Sequence, residues 1–102
     1  MNSKQRAYLK GLAMKLDACI HIGKATITPD VTNAVDEALE ARELVKISVL
    51  KNCPADIQEM AHVLAERTRS ELVQVIGRKI VLYREPSPGT KKKIELPDKK
   101  RL

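Results

Sequence analysis

Apolar and polar residues recur along this chain with two different periods, and the change of period divides it into helices and strands. Apolar residues three or four positions apart predict amphipathic helices at residues 3–16, from Pro29 onward, and from about Pro54 to Arg69. Strand-like runs are predicted at Ala18–Ile22, Leu44–Leu50, Leu72–Ile76 and Lys79–Tyr83. The order α-β-α-β-α-β-β is typical of the α/β class, so we expect a compact two-layer sandwich with a four-stranded mixed sheet.

Local signals add detail to these elements. Ser3 is predicted to cap the first helix, and Thr28 followed by Pro29 suits the start of the second. Gly77 precedes Arg78 between the last two strands, which predicts a type II′ hairpin with the Arg78 side chain projecting at its tip. We expect three apolar stripes to be buried, namely Leu9, Leu12, Ala13 and Leu16; Val31, Ala34, Val35, Ala38 and Leu39; and Ile57, Met60, Ala61 and Leu64.

Composition and charge narrow the class of partner. With 102 residues the chain fits one small domain, which we place at residues 1–84, followed by a basic, loosely structured tail at 85–102. The net charge of +6 favours a polyanionic partner. Two tyrosines, with no Phe or Trp, argue against folds that stack bases on exposed rings. Two cysteines, no signal peptide and no membrane-spanning run lead us to expect a cytoplasmic protein that does not bind membranes.

The junction at Gly23–Asp30 is the most informative segment for chemistry. A glycine lets the backbone approach a ligand, the start of a helix offers unpaired N–H groups, and Lys24 adds a full positive charge. The spacing is not that of a P-loop or a dinucleotide fingerprint. The junction therefore predicts a phosphate-binding corner, and an ordinary capped turn with an exposed lysine is the alternative.

Four ordered segments of the chain resemble one known family. They are Ser3-Lys4-Gln5-Arg6-Ala7-Tyr8-Leu9, Ile22-Gly23-Lys24, Glu43-Leu44-Val45-Lys46-Ile47 and Val73–Arg84. Together they resemble the CRM (CRS1–YhbY) RNA-binding domain in its stand-alone bacterial YhbY-like form, over about residues 3–84. The resemblance implies a fold akin to the C-terminal domain of translation initiation factor three. It also implies ribosomal RNA and precursors of the large ribosomal subunit as partners, and a role in ribosome assembly; we expect a monomer.

The resemblance also implies a set of RNA-binding residues. The family's Gly-x-x-Gly loop falls on Gly23, Lys24, Ala25 and Thr26. Because a β-branched residue is costly at positive φ, we expect Thr26 to adopt an ordinary backbone conformation or the loop to be reshaped. The further candidates are Thr28, Lys4, Arg6, Lys10, Arg78 and Arg84. RNA should avoid the acidic flank of the second helix, formed by Asp36, Glu37 and Glu40. The polar residues Lys46, Ser48 and Gln74 could line a sheet face that RNA visits, and a partly solvated antiparallel edge explains them equally well.

Other functions remain as alternatives. Each basic candidate could be a solubilising surface charge, and the whole chain could instead bind duplex DNA as a chromatin-type protein or serve as a protein–protein adaptor on the ribosome. Cys19, His21, Cys53 and His62 are suitable ligand types for zinc, but their spacing does not support a metal site. No orienting group accompanies a Cys–His pair, so we expect no catalytic residue, no cofactor and no enzymatic activity.

Overall fold

The structure, a computed structural model, describes residues 1–87, 89 and 93–97 and contains the predicted elements in the predicted order. They are α1 (Ser3–Ala13), β1 (Ile20–Ile22), α2 (Pro29–Arg42), β2 (Leu44–Val49), α3 (Ile57–Arg67), β3 (Glu71–Ile76) and β4 (Lys79–Tyr83). The expected α/β class with a four-stranded mixed sheet is confirmed.

The strand order β1-β2-β4-β3 brings three loops to one edge of the sheet. β1 is parallel to β2 and pairs Ile22 with Val49, whereas β4 is antiparallel to both β2 and β3. The carboxyl ends of β1 and β2 therefore lie beside the turn that joins β3 to β4. We call this edge, formed by residues 23–28, residues 50–56 and the turn Gly77-Arg78, the loop end of the sheet. β1 is a three-residue edge strand with β2 as its only neighbour in the sheet.

Helices cover both faces of the sheet, so α1 adds a layer to the two that the sequence predicts. The larger core lies under α2 and α3 and is built from Val45, Ile47, Val49, Ile80, Leu82 and the buried stripes of the two helices. On the opposite face, Leu9 and Ala13 of α1 pack against Leu44, Val81 and Tyr83. Alternate residues of β2 and β4 point to opposite faces, and both sets contain apolar residues, which is why the second face also attracts a helix.

Helix boundaries differ from the expectation at three points. Asn2, rather than Ser3, caps α1, because its side chain and that of Gln5 each bond the other's backbone N–H in a capping box. α1 ends at Ala13, so Leu16 lies beyond the helix and is exposed. Asp56 caps α3, which begins at Ile57 instead of near Pro54.

Most of the predicted buried stripes are confirmed. Leu9, Ala13, Val35, Leu39, Met60, Ala61 and Leu64 are buried, and Leu12, Val31, Ala38 and Ile57 are half-buried. Besides Leu16, Ala34 is an exception, because it is exposed on α2. A small alanine at the margin of a stripe loses little when it faces water.

The described part of the tail is docked on the body of the protein. The Glu43 carboxylate is buried and accepts backbone N–H groups from Lys93 at 2.6 Å and Ile94 at 3.2 Å. Ile94 and Leu96 pack against the α1 side of the core. These contacts differ from the expected loose tail, because the sequence pattern does not show that Glu43 supplies a buried acceptor. The basic residues Lys91, Lys92, Lys99, Lys100 and Arg101 lie outside the described residues, and the division at residue 84 stays a prediction.

Tyr83 lies beneath this docked segment and is the one described side chain with a clearly shifted pKa. Burial, with a smaller contribution from the negative charges of Glu43 and Glu85, raises the pKa of Tyr83 to about 12. The neutral phenol is therefore favoured by the folded state. Tyr83 is a packing residue, as expected.

Candidate nucleic-acid interface

The predicted phosphate-binding corner is exposed at the loop end of the sheet. Thr26 donates its backbone N–H to the Gly23 carbonyl at 3.0 Å, which closes a tight turn with Lys24 and Ala25 exposed at its tip. At Gly23 the chain runs close to the neighbouring loop, since an added β-carbon would lie 3.4 Å from the Asn52 side-chain oxygen. The turn therefore presents Lys24 to solvent.

Thr26 adopts a conformation that favours glycine. Its φ is +60°, in the left-handed region, although it is a β-branched residue. This corrects the expectation of an ordinary backbone or a reshaped loop. The turn keeps a positive φ at Thr26, the position where the family's Gly-x-x-Gly loop has its second glycine. The cost of this conformation is about 1–2 kcal/mol. Thr26 is half-buried.

Thr28 begins α2, as predicted, and this role occupies its side-chain oxygen. Thr28 Oγ1 accepts the backbone N–H of Val31 at 3.1 Å, and Pro29 fills the first helical position. A helix N-terminus carries partial positive charge. The Thr28 side chain is therefore engaged in capping α2, and Asp30 is the acidic residue of the first turn.

A second loop reaches the same edge because β1 and β2 are parallel. The Leu50 N–H donates to the Ile22 carbonyl at 2.8 Å, and Lys51 and Asn52 follow as exposed residues. α3 begins a few residues later, so two helix N-termini lie at the loop end. Sequence reasoning missed Lys51. Its signal was its position directly after the predicted strand Leu44–Leu50.

Arg78 belongs to the loop end but does not project from it, which corrects the expectation. Gly77 has the positive φ of +57° that the hairpin requires. The Arg78 guanidinium folds back and donates to the carbonyls of Val49, at 2.8 Å, and Leu50. Arg78 therefore ties the β3–β4 turn to the second loop, while its charge stays at this edge and its side chain is half-buried.

Arg6 and Arg84 have partners within the fold, so neither offers a free guanidinium. Arg6 donates to the carbonyls of Leu72 and Val73, where the pairing of β3 with β4 is irregular. Arg84 lies on the flank of α2 and bonds several acceptors. They are Asp36 Oδ1 at 2.6 Å, Glu40 Oε2 at 3.1 Å, the Thr68 carbonyl at 2.7 Å and the Asp36 carbonyl at 3.1 Å. Guanidinium groups satisfy unpaired carbonyls and carboxylates well, and the linear sequence does not show where those acceptors lie.

Lys4 and Lys10 are exposed at opposite ends of α1. Lys4 is in the first turn, next to the N-terminal amino group that lies 3.9 Å from Glu71 at the start of β3, which is the far end of the sheet. Lys10 follows Arg6 by one helical turn and shares its side of α1. The structure therefore groups Gly23–Thr28 with Arg78 and leaves Lys4 and Arg84 apart from them.

The loop end has an excess of positive side chains. Its cations are Lys24, Lys51, Arg78 and the adjacent Lys79, and its carboxylates, counted to the first turn of each helix, are Asp30, Asp56 and Glu59. Two helix dipoles add to this excess, although Asp56 offsets that of α3. The acidic side chains of Asp36 and Glu40 lie further along α2 and are engaged by Arg84, so they do not reduce the positive charge at the loop end.

The described residues contain no group of three or more His, Cys, Asp or Glu side chains arranged to hold a metal ion. His62 is exposed on α3, as expected, and Cys53 is buried with its sulfur 3.8 Å from that of Met60. Over the same residues no helix is long and apolar enough to cross a membrane.

Comparison with known proteins identifies the family. Residues 1–84 match the sequence model of the CRS1 / YhbY (CRM) domain. The chain belongs to the CRM family. It is 42% identical over 97 residues to a Bacillus subtilis protein named Probable RNA-binding protein YqeI, with 95% of this chain and 99% of the relative covered.

Further relatives extend this similarity across species. An RNA-binding protein of Haemophilus influenzae is 33% identical, with 97% of each chain covered. The solution structure of a hypothetical Staphylococcus aureus protein, described as a candidate RNA-binding protein, is 47% identical and superimposes with a TM-score of 0.79 over 95% of this chain and 99% of that one. The CRM domain here has the same fold as that structure.

Proposed function

We propose that this CRM protein binds RNA by holding the sugar–phosphate backbone at the loop end of the sheet. The observation that carries the proposal is the exposed turn Gly23–Thr26, which presents Lys24 beside Lys51 and at the start of α2. Ammonium groups and helix N-termini are general phosphate ligands. Relatives that match nearly the whole chain carry the name RNA-binding protein, which supports the same partner.

A finer proposal concerns the RNA that the protein binds and the process that this binding serves. We infer that the protein binds ribosomal RNA of large-subunit precursors in the cytoplasm and acts by binding and stabilising RNA, without catalysing a reaction. The resemblance to stand-alone bacterial members of the family supports this choice.

The experiment compares Lys24→Glu with two variants that make the same change of charge elsewhere. Lys15→Glu alters an exposed lysine that follows α1, and Lys100→Glu alters the tail outside the described residues. Filter binding to a single-stranded RNA should show the largest loss of affinity for Lys24→Glu. Thermal melting should show little change in any of the three. Equal losses in Lys24→Glu and Lys100→Glu would mean that the tail supplies the contacts.

The dependence of affinity on salt separates the alternatives. Two to four phosphate contacts on single-stranded RNA predict a log–log slope of roughly −1.4 to −2.8. Tighter binding to duplex DNA of matched length would favour the chromatin-type alternative, and a slope near zero would favour the adaptor. Cross-linking in cell extract, followed by mapping of the linked nucleotides, tests the choice of ribosomal RNA.

A further inference from the structure

A row of side chains crosses the sheet face next to the loop end and is not covered by α1. The strand registers pair His21 with Ser48, Ser48 with Lys79, and Lys79 with Ile76, so these four residues lie side by side on the same face. We call them the cross-strand row. At about 4.8 Å per strand the row spans roughly 14 Å. It starts beside the turn Gly23–Thr26 and ends at the β3–β4 turn.

α1 packs on the other half of the face and leaves His21, Lys79 and Ile76 accessible, whereas Ser48 is buried between His21 and Lys79. The contacts of Leu9 and Ala13 are with Leu44, Val73, Val81 and Tyr83, toward the far end of the sheet. His21 is exposed, and Ile76 is 56% exposed although it is a large apolar residue in a strand. The imidazole of His21 and the apolar side chain of Ile76 are therefore available to a partner.

The charges around the row favour a polyanion as that partner. Lys79 lies within the row, where its ammonium group donates to Ser48 Oγ at 3.3 Å and stays half-exposed. The next row toward α1 contains Lys46, Val81 and Gln74, and the Lys46 ammonium group bonds the carbonyls of Ala13 and Leu16. Neither row, as far as the structure describes this face, contains a carboxylate.

We propose that the cross-strand row binds the unpaired bases of an RNA strand whose phosphates are held at the loop end. This inference rests on the proposed function. His21 supplies a ring on which a base can stack, and Ile76 supplies an apolar surface for a second base, while Lys79 contacts the backbone between them. The protein then prefers single-stranded RNA, since the bases of a duplex are not free to lie on a sheet.

The test uses variants that remove base contacts without changing the charge of the site. His21→Ala, measured at pH 8, and Ile76→Ala should each weaken binding to a single-stranded 12-nucleotide RNA by about five- to tenfold. Because no phosphate contact is lost, Ile76→Ala should leave the salt slope unchanged. His62→Ala, which removes an exposed imidazole from α3 on the opposite face, is the matched control and should bind like the unmodified protein. A fully paired RNA of equal length should bind more weakly and should not distinguish the variants.

The outcomes separate this inference from the proposed function. If Lys24→Glu reduces binding while His21→Ala and Ile76→Ala match His62→Ala, RNA binding stands and the cross-strand row is not part of the site. Equal affinity for single-stranded and paired RNA would also overturn the row as a base-binding surface. If the unmodified protein binds neither RNA, both proposals fail. Thermal melts of the three variants should agree with the unmodified protein, since all three positions are exposed.

Discussion

Replacing Thr26 with glycine tests whether the turn at the loop end stores backbone strain. Thr26 has a φ of +60°, which costs an L-residue about 1–2 kcal/mol, and glycine removes that cost. Glycine also gives the unfolded chain more freedom, which offsets about 0.4–1 kcal/mol. We therefore expect Thr26→Gly to raise the free energy of unfolding by about 1 kcal/mol, or the melting temperature by about 5 °C for a chain of this size.

The assay is urea denaturation followed by circular dichroism, with Thr26→Ala as the matched control. Alanine removes the hydroxyl and the β-branch but keeps a Cβ, so it retains most of the strain and should gain little. A destabilised Thr26→Gly protein would refute the reasoning. An equal gain in Thr26→Ala would show that the branched side chain, rather than the backbone, is the source of the cost.

The same variants report on how RNA approaches the turn. Since the backbone already has the conformation that a glycine would take, Thr26→Gly should leave the turn in place and open its surface to a closer phosphate. We expect tighter RNA binding by a few-fold. Weaker binding, shared by Thr26→Ala, would instead indicate that the Thr26 hydroxyl contacts RNA directly.

Two predictions concern residues away from the RNA site. Arg84→Ala should lower the free energy of unfolding in urea by about 2 kcal/mol, because charge-assisted bonds from a largely buried guanidinium to Asp36 and Glu40 are lost. RNA affinity should change less than twofold. A loss of RNA affinity at unchanged stability would instead place Arg84 in the RNA site. Since the pKa of Tyr83 is raised in the folded protein to about 12, its contribution to stability is complete below pH 10 and is lost as the pH rises from 10 to 12. Tyr83→Phe should therefore reduce the loss of stability over this pH range in urea titrations. Identical pH profiles of the two proteins would show that Tyr83 is not the source of the decline.

The order of elements and the loop-end turn were predictable because their signals are local. Thr28 followed by Pro29 marks the start of a helix through backbone geometry, and Gly77 marks a turn by its tolerance of positive φ. Neighbouring residues suffice for these predictions. The family resemblance added the expectation that Lys24 lies in an RNA-contacting loop, and the structure shows this residue exposed in a closed turn.

The arginines were predicted less well because their partners are distant in the sequence. Arg6, Arg78 and Arg84 each find acceptors 16 or more residues away, on strands or helices whose relative placement depends on the whole fold. The same holds for the docking of residues 93–96, which needs the buried carboxylate of Glu43. Lys51 was overlooked because it belongs to no motif. Its candidate role follows from the loop Gly23–Thr28 that the fold brings beside it.

The short edge strand β1 has a consequence for how the turn at residues 23–26 behaves over time. Three residues paired to a single neighbour give little resistance to local opening, so the turn is attached to one of the least protected parts of the sheet. A ligand that requires the closed form then shifts this opening equilibrium when it binds. A ligand bound at the turn should therefore slow amide exchange in β1 and in the first turn of α2. The central strand β4 has two neighbouring strands, so its amides are already protected without a ligand.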